Sequence, residues 1–72
     1  MKTLKEQLKS AQRELAMRRA FYPKRLLAGS MRQETADHEI ECMEAIVETL
    51  YRMWVLEADS EEIKRKASEL PL

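Results

Sequence analysis

The residues best suited to chemistry are His38 and Cys42, which lie four apart and therefore share one face of any helix that contains them. Imidazole and thiolate groups are zinc ligands, and Glu34 and Glu41 lie near enough along the chain to complete a set of four. A structural zinc site ordinarily brings more cysteine or histidine, and the segment lacks the two-histidine motif of zinc proteases. We therefore expect no metal and no cofactor, with Cys42 acting as a small core residue.

A row of carboxylates follows the same segment at helical spacing. Paired carboxylates can act as general acid and base, but a shifted pKa requires burial that an outer helix face does not provide. A two-layer helical protein of 72 residues is also too thin to enclose a pocket of catalytic size. We expect a solvated face, and we expect that the protein is not an enzyme. The row comprises Glu34, Asp37, Glu41, Glu44 and Glu48.

The first 25 residues are strongly basic, with eight lysines and arginines against two glutamates. They make the best case for nucleic acid, because neutralised phosphates release counterions, and Lys5, Lys9 and Arg13 would carry the binding. Residues 26–62, however, hold ten carboxylates against two arginines, and the whole chain has no net charge. Pairing of the basic helix with the acidic one explains the same residues, so nucleic-acid binding is only the alternative hypothesis.

Helices must position these side chains, because the chain holds one glycine and two prolines, and 36% of its residues are charged. An apolar repeat with spacings of four, three and four predicts a first helix over residues 2–21. Pro23 should end or bend this helix, and residues 24–28 then form a short helical turn that stops at Gly29. The repeat consists of Leu4, Leu8, Ala11 and Leu15.

A second and longer apolar repeat predicts the main helix of the chain. Ser30 and Gln33 have the spacing of a capping box, in which each side chain satisfies the free backbone amide of the other. We therefore predict a helix over residues 31–56. The repeat consists of Ala36, Ile40, Met43, Val47, Leu50 and Trp54, with Ile46 and Met53 widening it on one flank.

A short last helix is predicted over residues 60–69, because Asp59 and Glu62 repeat the capping-box spacing and Pro71 ends the run. Two long helices joined by a short connector form an antiparallel helical hairpin. We expect one all-α domain over residues 1–72, with a short connector helix and the short C-terminal helix. A chain of this size buries little core, so self-association should complete a bundle.

Apolar residues surround the predicted helix between Leu50 and Leu56, although one neighbouring helix can cover only one side of it. The other side must be covered by the bend at residues 21–23, by the C-terminal Ile63 and Leu70, by a second copy of the chain, or by a different protein. Tyrosine and tryptophan are enriched at the energetic centres of interfaces. The predicted interface residues are Val47, Leu50, Tyr51, Trp54, Val55 and Tyr22.

The lack of long apolar runs predicts where the protein is located. No apolar run of signal-peptide length follows the charged N-terminal residues, and no stretch approaches the ~18 apolar residues of a membrane span. The single cysteine fits a reducing compartment. We expect a cytoplasmic protein with no membrane contact.

Several segments resemble a group of very short proteins of unassigned function that bacteria, phages and prophages encode. The resemblance covers roughly the first fifty residues and contains no catalytic signature. Members often carry a Trp-Val pair where this chain has Arg25 and Leu26, and the residues after Arg52 lie outside the resemblance. It rests on the segments 4–8 (LKEQL), 11–18 (AQRELAMR), 22–24 (YPK), 29–31 (GSM) and 39–50 (EIECMEAIVETL).

Very small phage proteins often act by occluding a surface of a host protein, which needs only a rigid helical face and an apolar anchor. The leading hypothesis is a non-enzymatic protein–protein interaction module. It would form a homo-oligomer, most simply a dimer, through the region from Val47 to Leu56, and would modulate a host or phage protein. The alternative is a small nucleic-acid-associated protein that uses Lys5, Lys9 and Arg13.

Overall fold

The computed structural model describes the backbone of residues 2–69 and the side chains of residues 2–58. Over these residues the fold consists of two helices, α1 (Leu4–Leu27) and α2 (Gln33–Glu69). The helices pack against each other with opposite directions, so the predicted all-α helical hairpin is confirmed. Within the described residues, no helix is both long enough and apolar enough to cross a membrane.

A capping box begins α1. The Thr3 hydroxyl accepts a hydrogen bond from the Glu6 amide at 3.1 Å, and the Glu6 carboxylate accepts one from the Thr3 amide at 3.2 Å. These bonds satisfy two of the backbone amides that a helix start would otherwise leave free. The Thr-x-x-Glu spacing is visible in the sequence, although it is not among the predicted caps.

α1 confirms a first helix, but it continues through Pro23, so the predicted helix end at residue 21 and the separate turn over residues 24–28 are wrong. Pro23 has no amide to donate to the carbonyl of Arg19 four residues earlier. Both residues are exposed, so water can satisfy that carbonyl. The half-buried Leu26 lies in the part of α1 that continues past Pro23.

The connector between the helices closes with a Schellman motif. Gly29 adopts a φ of 74°, which confirms the predicted left-handed stop. Its amide donates to the carbonyl of Leu26 at 3.1 Å, and the Ser30 amide donates to the carbonyl of Arg25 at 3.0 Å. The Ser30 hydroxyl donates to the same carbonyl at 3.2 Å. Ser30 therefore closes α1, and the predicted capping box of Ser30 with Gln33 is wrong.

α2 has no break, so the predicted helix end near Leu56 and the separate helix over residues 60–69 are wrong. No glycine or proline interrupts this stretch. Aspartate and serine each cost a helix interior less than about 0.7 kcal/mol, so the capping-box spacing of Asp59 and Glu62 does not end the helix. Ile63 and Leu70 are predicted as possible cover for the apolar end of α2, and Pro71 as the end of the last helix. These three predictions lie outside the described residues or side chains.

A small core joins the two helices. Ala11, Leu15 and Met43 form one cluster, and half-buried side chains from α2 pack around it. Ala36, close to the connector, is only 1% exposed. The two predicted apolar repeats therefore face each other. The five buried residues in the described part of the chain are Leu8, Ala11, Leu15, Ala36 and Met43.

Candidate docking surface

α2 extends well past the beginning of α1. Leu15 and Met43 belong to the same core cluster, so Leu4, eleven residues before Leu15, lies level with Trp54, eleven residues after Met43. Beyond Trp54, α2 continues for fifteen residues, or about 22 Å at 1.5 Å per residue. We call residues 55–69 the overhang. α1 does not reach it.

Five of the six predicted interface residues lie on α2, and the structure separates them. Val47 and Leu50 are half-buried against the hairpin's own core. Trp54 and Val55 are also half-buried, whereas Tyr51 is 52% exposed. The Tyr51 and Trp54 rings lie 6.2 Å apart between centroids, tilted by 59°. Among the five, Tyr51 offers the largest exposed surface to a partner.

Tyr22, the sixth predicted interface residue, lies at the other end of the hairpin. It is level with Ala36, which precedes Trp54 by eighteen residues, about 27 Å along α2. Residues 21–23 lie within α1 near the connector, so they cannot cover the apolar end of α2. Tyr22 instead borders a shallow surface groove. The groove is also lined by Glu14, Met17, Arg18, Phe21 and Arg25.

A second apolar stripe runs along the side of α2 that α1 leaves uncovered. Ile46, Met53 and Leu56 are 47%, 48% and 67% exposed. With the exposed Cys42 and Thr49 they step along the helix by four and three residues, which is the pattern of a coiled-coil seam. We call these five residues the outer seam. Sequence periodicity shows only a broad stripe here; the contacts of α1 show that it comprises two seams.

Cys42 is exposed, so the predicted core role is wrong. It precedes the buried Met43 by one residue, which places it about 100° around the helix from the core. Its Sγ lies 3.5 Å from Nε2 of His38. Among the side chains of residues 2–58, no three histidine, cysteine, aspartate or glutamate groups converge as a metal site.

The acidic row of α2 is exposed to solvent, and two of its members bind arginines. Glu44 lies 3.5 Å from Arg19 of α1, and Glu48 lies 2.6 Å from Arg52 of α2. Four surface grooves in the described part of the chain are open to solvent. Such grooves do not shield a reacting group from water.

Arg18 connects the two helices, although it is not among the predicted site residues. Its Nη1 donates to the backbone carbonyl of Glu39 at 2.9 Å and to the Glu39 carboxylate at 3.3 Å, and its Nε donates to Glu14 at 3.1 Å. The side chain is only 23% exposed. The hydrogen bond to Glu14 raises the pKa of Arg18, and the charge of Glu39 contributes to the same rise. A count of charges cannot single out this arginine.

The basic face of α1 points away from α2. Lys5, Lys9 and Arg13 are exposed, and none of them lies within 4 Å of a carboxylate in the described part of the chain. The interhelical ion pairs there use Arg18 and Arg19 instead. Pairing with the acidic helix therefore does not account for Lys5, Lys9 and Arg13. An open groove on this side is lined by Lys2, Glu6, Gln7, Lys9, Ser10 and Arg13.

No protein-family model matches the chain, and no curated protein or solved structure shows significant similarity to it. The resemblance to short bacterial and phage proteins therefore stays a prediction. The function has to be inferred from the surfaces of the hairpin itself.

Proposed function

We propose that the chain is a non-enzymatic protein-docking module, and that the outer seam of α2 is its docking surface. The observation that supports this most strongly is the exposure of Ile46, Met53 and Leu56 along one line of a single helix. Scattered apolar residues are ordinary on a protein surface. A continuous apolar stripe is characteristic of an interface.

The outer seam adds little to the stability of the hairpin alone. The free energy gained from an apolar side chain scales with the area that folding removes from water. Ile46 and Met53 keep almost half of their surface in water, and Leu56 keeps two thirds. A partner that covers them gains the remainder, which favours association over the isolated chain.

The partner should be a protein that presents an apolar helix or groove. A rigid helix docks on such a surface through side chains spaced by three and four residues, which is the spacing of the outer seam. The sequence resemblance favours a cytoplasmic bacterial setting, so a host protein, a phage protein or another copy of this chain would fit. We propose that docking of this kind modulates the protein that is bound.

Two methionines of equal exposure provide the test. Met53 on the outer seam is 48% exposed and Met17 on α1 is 47% exposed. The Met53→Lys and Met17→Lys variants should melt within a few degrees of each other in dilute solution, because neither side chain is buried. In affinity capture from bacterial lysate, the wild type and Met17→Lys should retain the same protein and Met53→Lys should lose it. Binding should then be measured with that protein purified.

Two results would contradict the docking function. If Met53→Lys unfolds the hairpin while Met17→Lys does not, the outer seam belongs to the fold. If the wild type neither captures a protein nor associates with itself at any concentration, the seam has no partner.

Nucleic-acid binding is the second candidate, and the exposed Lys5, Lys9 and Arg13 favour it. Fluorescence anisotropy with labelled single-stranded and duplex DNA should show binding that falls steeply between low and physiological salt. Replacing the three residues by glutamine should abolish binding without changing the melting temperature, since they make no ion pair with the described carboxylates. Equal binding by the glutamine variant would exclude this role.

A further inference from the structure

The pattern of the outer seam continues into the overhang. Past Leu56, the same spacing of four and three residues reaches Ser60, Ile63 and Ala67 on the continuous α2 backbone. The spacing therefore spans more than three heptads from Cys42, a length typical of a coiled coil, with threonine or serine at two of its eight positions. A helical segment of about fifteen residues is marginal in water on its own, so a second helix along the seam would stabilise the overhang.

Resting on the proposed docking function, we propose that the partner is a second copy of this chain, paired with α2 along the outer seam as a parallel, in-register coiled coil. Each residue of the seam up to Met53 comes directly before a residue on the inner side of α2, as Cys42 comes before Met43 and Ile46 before Val47. The outer seam therefore lies about 100° around α2 from the contact with α1. One α2 helix can hold both neighbours at once.

The charges beside the seam favour the parallel orientation. In a parallel pair, the residue just before one core position lies next to the residue five places later on the other helix. This register places Arg52 beside Glu57 of the second copy. These two charges are of opposite sign, and two-fold symmetry makes the pair occur twice.

The same register keeps like charges apart. The acidic row residues Glu41, Glu44 and Glu48 lie about 100° or more around α2 from the seam, so the two acidic faces do not meet. One heptad before Ile46, the seam position is occupied by Glu39, which binds Arg18 of its own chain. The seam therefore begins at Cys42. In an antiparallel pair, Arg52 and Glu57 of the second copy would lie on opposite flanks.

Cys42 is the only cysteine of the chain and reports the orientation directly. In the parallel pair it faces Cys42 of the second copy, with the Cα atoms within the ~4.4–6.8 Å that a disulfide spans. Diamide, which accepts the two thiol hydrogens, should therefore convert the wild type rapidly into a disulfide-linked dimer. The matched control carries Cys42→Ser with Ser10→Cys, an exposed position on α1. It should react no faster than the same protein unfolded in urea.

Exchanging the charges of Arg52 and Glu57 tests the parallel register. Arg52→Glu or Glu57→Arg alone places like charges together twice per dimer, and each should raise the dissociation constant measured by sedimentation roughly tenfold. The double variant restores opposite charges and should return to within about threefold of the wild type. Additive weakening in the double variant would overturn the parallel register.

The remaining outcomes separate this inference from the docking function. A dimer by light scattering without rapid Cys42 cross-linking would overturn the parallel pairing. A wild type that stays monomeric up to high micromolar concentration, while Met53→Lys still loses a captured protein, would overturn the second copy as partner and leave the docking function standing. A rapid cross-link with charge rescue would establish the dimer.

Discussion

The half of the hairpin next to the connector and the half away from it are built in different ways. Near the connector, Leu15, Ala36 and Met43 are at most 8% exposed, and Arg18 ties the two helices together. Away from the connector, Leu8 is buried as well, but large apolar side chains on the outer side of α2 remain half exposed, and the helix then runs past the end of α1. We call these the loop half and the open half.

The inner sides of both helices therefore specify this fold, whereas the outer side of α2 in the open half is available for association. Small chains have marginal stability, because little of their surface is buried on folding. An apolar surface that the hairpin does not use in its own core costs solubility unless a partner covers it. The contrast between the halves can be measured by making the same substitution in each.

The largest effect is expected for truncation of the core in the loop half. Leu15→Ala should lower the free energy of unfolding by about 2–5 kcal/mol, because Leu15 is 8% exposed and its loss leaves a cavity. Met53→Ala in the open half should lower it by less than about 1 kcal/mol when the chain is monomeric. Urea denaturation followed by far-ultraviolet circular dichroism would measure both values. Equal losses in the free energy of unfolding would mean that the two halves contribute equally to the stability of the hairpin.

An intermediate effect is expected when the loop half is overfilled. Ala36 is 1% exposed, so Ala36→Leu should lower the free energy of unfolding by about 1–3 kcal/mol. The matched control is Ala16→Leu on the exposed face of α1, where the added methyl groups enter solvent. Its effect should stay within about 0.5 kcal/mol. A harmless Ala36→Leu would mean that the contact near the connector is loosely packed.

The spacing of apolar residues was sufficient to predict the helices, their inner faces and their antiparallel pairing. Leu8, Ala11 and Leu15 lie on the inner side of α1, and Ala36 and Met43 on the inner side of α2, because a spacing of three and four residues keeps them on one line of each helix. Local stop signals were less informative. Pro23 lies where solvent can satisfy the carbonyl it leaves free, and Ser30 serves the end of α1 instead of the start of α2.

The candidate site could be predicted only in part. The exposure of Tyr51 follows from the excess of apolar residues around α2, but the outer seam could not be separated from the inner one until α1 was in place. The function of Arg18 depends on its reach to the Glu39 carbonyl, a geometric fact that charge composition does not contain. Tyr22 lies at the connector end of the hairpin and Tyr51 at the other end, a separation that the short connector of an antiparallel hairpin already implies.

The smallest effect is expected for the arginines of the two halves. Arg18→Met keeps the apolar stem but removes the hydrogen bonds to Glu39, and should lower the free energy of unfolding by about 1 kcal/mol. Arg52→Met breaks an exposed pair with Glu48 within one helix, and its effect on the monomer should stay below about 0.5 kcal/mol. Denaturation in urea again measures the difference.

The pH dependence of the Arg18 effect sharpens this prediction. A group whose pKa is raised by folding stabilises the folded chain at every pH below its pKa in the unfolded chain. This contribution is lost only as the pH rises through its pKa in the folded chain. Both values of Arg18 lie far above neutrality, so its guanidinium stays charged from mildly acidic to mildly alkaline solution. The destabilisation by Arg18→Met should therefore be the same at neutral pH and at mildly alkaline pH. A loss that shrinks over that interval would mean that a different group titrates there and that Arg18 is not the main polar contact between the helices.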